Sequence, residues 1–162
     1  MNTKMITLKK ALSVSALAFS ILLTTVVNAQ QPTGNQQTIY TISGNADGAQ
    51  MVPAGTATGT GTITGTYEPA THTLNYTSTW DNLTGAPSSA GFYNGTPGVA
   101  GKILGDPWQL GTNVSKSGNL TGKMTLTDEQ ANSLLGGNWY YTYGTTNAVD
   151  GEIRGQITAK KQ

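Results

Sequence analysis

From Gly55 to Tyr67 threonine takes every second position, at 56, 58, 60, 62, 64 and 66. The positions between hold Gly55, Ala57, Gly59, Gly61, Ile63, Gly65 and Tyr67. A period of two is that of a β-strand, whose successive side chains point to opposite faces. One face is then a row of hydroxyls, and the other is small enough for a packed layer to approach closely. Glu68 to Thr71 contains a proline and reads as a turn. His72 to Trp80 alternates again, with Leu74, Tyr76, Ser78 and Trp80 on one face. The two runs predict an antiparallel hairpin.

The rest of the chain has the same grain. Thr38 to Ser43, Val99 to Leu104, Gly118 to Leu126, Asn138 to Tyr143 and Glu152 to Ala159 read as further strands. Gly44–Pro53, Asp81–Gly98 and Gly105–Ser117 read as loops, rich in glycine and proline. One helix is expected, near 127–135. Thr127 and Gln130 form a capping box that satisfies free N–H groups of the first turn. Leu134 and Leu135 anchor it, and Gly136 stops it. Short strands, Gly-rich turns and a single helix predict an all-β, antiparallel sandwich or barrel.

The N-terminus constrains the compartment. Lys4, Lys9 and Lys10 precede an apolar run from Ala11 to Val27, and small residues follow at Val27-Asn28-Ala29. This is the layout of a secretory signal, with cleavage expected after Ala29. A stable membrane span needs about 20 strongly apolar residues, and this run is shorter and diluted by Ser and Thr. The expected organisation is a signal over 1–29, a flexible leader over 30–37 and a β domain over 38–160. The product is expected to be secreted or periplasmic, with no membrane span after cleavage. The chain has no cysteine, so neither a disulfide nor a lipidated thiol is available. It has nine Lys and Arg against eight Asp and Glu. Loss of the three signal lysines turns that balance mildly acidic. Such a chain lacks the basic footprint that nucleic acid requires, and no nucleic-acid partner is expected.

Several stretches together are more specific than any of them alone. They are Gln50-Met51-Val52-Pro53, Leu126-Thr127-Asp128-Glu129-Gln130, Gly137-Asn138-Trp139-Tyr140 and, above all, Gly151-Glu152-Ile153-Arg154-Gly155-Gln156-Ile157. In this order they resemble the CHRD (chordin-type) domain family, from about Ile39 to Thr158. The resemblance implies an extracellular, immunoglobulin-like Greek-key β domain and no established reaction. It also exposes a departure. Family members usually carry a His-x-His-Gly stretch in the central loop and another histidine before the Gly-Glu-Ile-Arg motif. The matching positions here are Gly91, Tyr93 and Gly144. Any chemistry resting on those histidines does not carry over.

The residues themselves give catalysis little to work with. His72 is the only histidine. It stands beside a turn and reads as a solvent-facing residue. No serine lies in a nucleophile-elbow sequence, and without cysteine a conventional zinc site is missing too. Asp47, Asp81, Asp106, Asp128, Glu129 and Asp150 could supply calcium ligands from loops, but without the Asp-x-Asp-x-Asp spacing. Glu152 and Arg154 share a strand face and read as a structural ion pair that binds loop backbone, within a motif of Gly151, Glu152, Arg154, Gly155 and Gln156. Trp139, Tyr141 and Tyr143 read as core. Tyr93 and Trp108, placed in long loops, are the candidates for an exposed binding surface. The hydroxyl row is an ordinary solvated sheet face, although ice-binding proteins use that shape too. The expectation is a non-enzymatic, cofactor-free binding or structural domain with a protein or glycan partner. The alternatives are a calcium-type metal-dependent protein or hydrolase, and a self-associating matrix component.

Overall fold

In the computed structural model of the chain, residues 38–162 are described. The expected signal and leader lie outside the described residues. Among the described residues no helix is long and apolar enough to cross a membrane.

The threonine repeat does form a hairpin. Strand β2 (Thr60–Glu68) pairs with β3 (Thr73–Asp81) from Thr60↔Asp81 to Glu68↔Thr73. Thr60, Thr62, Thr64 and Thr66 face solvent, while Gly61, Ile63 and Tyr67 are buried. Leu74, Ser78 and Trp80 are buried on the matching face of β3, with Tyr76 partly so. The strand starts at Thr60 rather than Gly55, because its neighbour β1 (Tyr40–Asp47) ends opposite that point. β1 itself outruns its expected end at Ser43. The chain breaks only at a 3₁₀ turn, Gly48–Gln50, capped by Asp47.

Beyond the hairpin come β4 (Pro87–Asn94), β5 (Ile103–Leu104), β6 (Gly118–Thr125), α1 (Asp128–Leu135), β7 (Trp139–Thr145), β8 (Ala148–Gln156) and β9 (Thr158–Lys161). β4 corrects the reading of Asp81–Gly98 as a loop. Its Pro87 sits at the first strand position, where a missing N–H costs little, and Ala90–Asn94 pair continuously with β7. The α1 capping box forms as expected, with Thr127 accepting from the Gln130 N–H and Gln130 accepting from the Thr127 N–H. Leu134 is fully buried.

The nine strands of the described residues belong to one antiparallel sheet, ordered β5-β4-β7-β8-β1-β2-β3-β6, with β9 also on β1. Five steps separate β4 from β3 in that order. Laid flat, they would lie roughly 24 Å apart at ~4.8 Å per strand. Yet the Phe92 ring of β4 sits 4.8 Å from the Tyr76 ring of β3. The sheet therefore curls round on itself into a partial barrel, enclosing Ile63, Trp80, Phe92, Trp139, Tyr141, Tyr143 and Ile153.

Among the described residues no ladder closes the barrel between its two ends. The gap is filled by Trp108, whose N–H bonds Ala90 O at 2.8 Å and whose ring stacks on Tyr76 at 5.2 Å. At 8 % exposure it is core, not the exposed binding aromatic expected from its loop position. An apolar plug from a loop replaces the hydrogen bonds a closing strand would have made.

Candidate functional site

Strand β7 is buried along its whole length. One face fills the barrel with Trp139, Tyr141 and Tyr143. The other is continuous with the same face of the neighbouring β8, where Arg154 stands opposite Thr142 and Gln156 opposite Tyr140, and loop segments bond to the Gly151–Gln156 motif there.

Glu152 and Arg154 are 3 % and 2 % exposed, but they do not pair with each other as their spacing suggested. The Glu152 carboxylate accepts from the Thr84 N–H at 2.7 Å, from Thr84 Oγ1 at 2.6 Å and from Thr145 Oγ1 at 2.7 Å. Burial pushes this carboxyl toward its neutral form. The threonine bonds outweigh that, with Lys116 helping, and hold it below the ordinary carboxylate value. Arg154 instead donates through Nη2 to Thr96 O at 2.9 Å and to Gln156 Oε1 at 3.2 Å. Its guanidinium lies 3.8 Å from the Tyr140 ring centroid, a cation–π contact. Burial lowers its pKa and Tyr140 opposes the shift, yet an arginine stays charged throughout.

The other motif residues tie the same layer down. Gln156 donates to Gly95 O and Gly137 O and takes the Gln50 Oε1 on its own N–H. Gly155 has no room for a side chain, since a Cβ would stand 2.5 Å from Tyr141 and 2.8 Å from Asn45 O. The motif thus fastens four separate segments around Gln50, Thr84, Thr96 and Gly137. It bonds loop backbone, and among the described residues neither Glu152 nor Arg154 makes an ion pair.

Two cavities flank it. One, of about 570 Å³, opens between residues 51–57 and the β7–β8 turn, with Met51, Val52, Pro53, Val149 and Glu152 in its wall. Val149 is 69 % exposed there and Val52 38 %. The other, of about 140 Å³, lies beside Arg154 and is walled by Ala49, Gln50, Met51, Pro97, Gly98 and Gln156. Met51 belongs to both. Its methyl group packs over Gly151, 2.6 Å from where a Cβ would be, in a backbone with φ +127° that disfavours any side chain. A further concavity, on the threonine face around Gly65 and Gly122, is shallow and open.

A family model described as the CHRD domain matches residues 42–157. The chain belongs to the CHRD domain family. The match takes in the motif, both cavities and the barrel core. Comparisons with curated proteins and with solved structures give no match.

In this CHRD domain the positions of the family's usual histidines lie together. Gly91 stands opposite Thr142, Tyr93 opposite Tyr140, and Gly144 opposite Ser89. All share the outward face of β4 and β7, beside Arg154, which stands opposite Thr142 on β8. Tyr93 therefore occupies a strand, not the loop read from the sequence. Its ring stacks on Tyr140 at 5.3 Å while Arg154 covers the same Tyr140. It is half-buried rather than free.

The remaining candidates are dispersed. His72 sits in the turn before β3 with Nδ1 3.7 Å from Asp128 Oδ1, its side chain 43 % exposed. Among the described residues no three or more His, Asp or Glu side chains gather to hold a metal ion. Asp47 caps the 3₁₀ turn through Gln50, and Asp81 accepts from Ser117. Sequence reasoning missed Met51 as the shared wall, Thr84 and Thr145 as holders of Glu152, and Val149 as exposed apolar surface. The threonines carried no signal. Val149 did, faintly, as an apolar residue in a polar turn.

Proposed function

We propose that this CHRD domain is a secreted, non-enzymatic binding module whose contact surface is the cavity between residues 51–57 and the β7–β8 turn. The observation that carries the reading is the exposure of Val149 and Val52 at the rim of a 570 Å³ concavity framed by the family motif. Isolated apolar residues are common on surfaces, but apolar residues grouped at a concavity mark binding sites. The motif holds the walls in place and leaves the rim uncovered.

The partner is a protein segment rather than a glycan. Sugar recognition would draw on exposed aromatic faces. The two aromatics in question are engaged elsewhere, Trp108 in the core and Tyr93 against Tyr140. The cavity wall is aliphatic, with Met51, Val52, Pro53, Ala57 and Val149. The test is a peptide-display selection and a glycan array run side by side on the purified protein. Enriched peptides that lose binding on Val149→Asp, with a blank glycan array, support the reading. Glycan retention insensitive to Val149→Asp overturns it.

A further inference from the structure

Arg154 is a buried cation without a counter-charge. It is 2 % exposed, and among the described residues no carboxylate forms an ion pair with it. A buried charge is ordinarily matched by an opposite one. Asp47 stands opposite it in the β1–β8 ladder. Both Asp47 oxygens, however, are taken by Gln50, one by its N–H and one by its side-chain amide. Glu152, two residues away, is turned to Thr84 and Thr145.

Two of the guanidinium's five N–H groups are used, both on Nη2. Nε and Nη1 have no hydrogen-bond partner among the described residues. They are not sealed off either, since among the described residues the fully buried side-chain nitrogens and oxygens left without a partner are His72 Nδ1 and Trp139 Nε1. Arg154 itself lines the 140 Å³ cavity, together with Ala49, Pro97 and Gly98. At ~30 Å³ per water-sized group, it holds a carboxylate and little more. Its aliphatic lip, Met51, is also the wall of the larger cavity.

We infer that the cavity beside Arg154 is a carboxylate-binding site, and that it receives the C-terminal carboxylate of a peptide whose apolar side chains lie beyond Met51 in the larger cavity. This deepens the proposed binding function and rests on it. Arginine suits the role because its planar donors form charge-assisted hydrogen bonds with carboxylates. Tyr140 and the Thr96 and Gln156 contacts hold the guanidinium in place before the ligand arrives, so little ordering remains to be done on binding.

The experiment is a titration of the purified protein followed by NMR, reading the Arg154 Nε–H and the Gly98 and Val149 amides. The probes are N-acetyl-Val-Val as the free acid, the same dipeptide as its C-terminal amide, and sodium acetate. The free acid is expected to shift all three signals, and acetate to shift Arg154 and Gly98 alone. The amide is expected to bind roughly tenfold or more weakly. Ala49→Leu, at an exposed position of the cavity wall, takes up cavity volume while leaving Arg154 itself unaltered. It is expected to abolish the Arg154 response and leave the fold intact. Equal binding of acid and amide, or an Arg154 response that survives Ala49→Leu, overturns the inference. If Val149 shifts while Arg154 stays silent, the carboxylate site falls and the larger binding surface stands. If no signal moves, both fall.

Discussion

Glu152 and Arg154 sit two residues apart on one strand, equally buried, and the chain treats them in opposite ways. Both oxygens of the carboxylate are engaged, by one N–H and two hydroxyls. The guanidinium is held by a carbonyl, an amide oxygen and an aromatic face, with donors left over. Ion pairing explains neither, since among the described residues neither has an ion-pair partner. The difference lies in what their loops offer. The segment at Thr84 brings donors to an acceptor, and the segment at Thr96 brings only a carbonyl to a five-donor group. One charge is therefore spent on the fold, while the other keeps capacity for a ligand.

The largest effect that could break this comparison is expected from Glu152→Ala. It strands the buried Thr145 hydroxyl and removes the acceptor of the Thr84 N–H and hydroxyl, and is expected to cost about 3 kcal/mol. Denaturant unfolding reads the loss. Arg154→Met keeps apolar volume and relieves the burial of an unmatched cation. It forfeits the Tyr140 contact and two hydrogen bonds, and is expected to cost about 1 kcal/mol. If the two substitutions cost the same, the asymmetry is wrong.

Acid reads the same contrast without mutation. The folded-state pKa of Glu152 is depressed, so its contribution is fully present above the ordinary carboxylate value of 4.5 and is lost as pH falls through the lowered value. Thermal unfolding between neutral and acid pH is expected to show this loss, and Glu152→Gln to flatten it. Arg154 adds nothing in that window because it remains protonated. At the alkaline end Tyr141 and Tyr143 take over. Burial pushes both phenols well above their ordinary value of 10. Their contribution is present below 10 and fades as pH rises past it, because the unfolded phenols ionise first. Alkaline unfolding followed by tyrosinate absorbance is expected to show both tyrosines ionising together with loss of structure.

The smallest effect is expected from Lys116→Gln. Lys116 is exposed and acts on Glu152 only through space. Stability at neutral pH is expected to change by less than about 0.5 kcal/mol, with the acid limb moving slightly toward neutrality. A larger shift would show that Glu152 depends on a distant charge rather than on its threonines.

Local chemistry determined much of this molecule in advance. The threonine alternation specified a hairpin and its buried face, because a period of two allows no other regular structure. Thr127 and Gln130 specified the start of the helix, because both capping partners lie within one turn. Leu126–Gln130, Gly137–Tyr140 and Gly151–Ile157 carried the family, which the model match over 42–157 shows. The curl of the sheet decided the rest. Trp108 looked exposed because its neighbours in sequence are polar and glycine-rich, yet it plugs a gap that exists only once β3 and β4 are brought face to face. Tyr93 looked like a loop residue until β7 paired with it. Glu152 and Arg154 looked like an ion pair because they share a strand face, and of the partners that separate them Thr84 and Thr96 come from distant loops, while Thr145 comes from the end of the neighbouring β7. Sequence spacing reports only which side a group faces. Which groups arrive on that side is fixed by register and closure, and here that decided which of two buried charges is left with donors to spare.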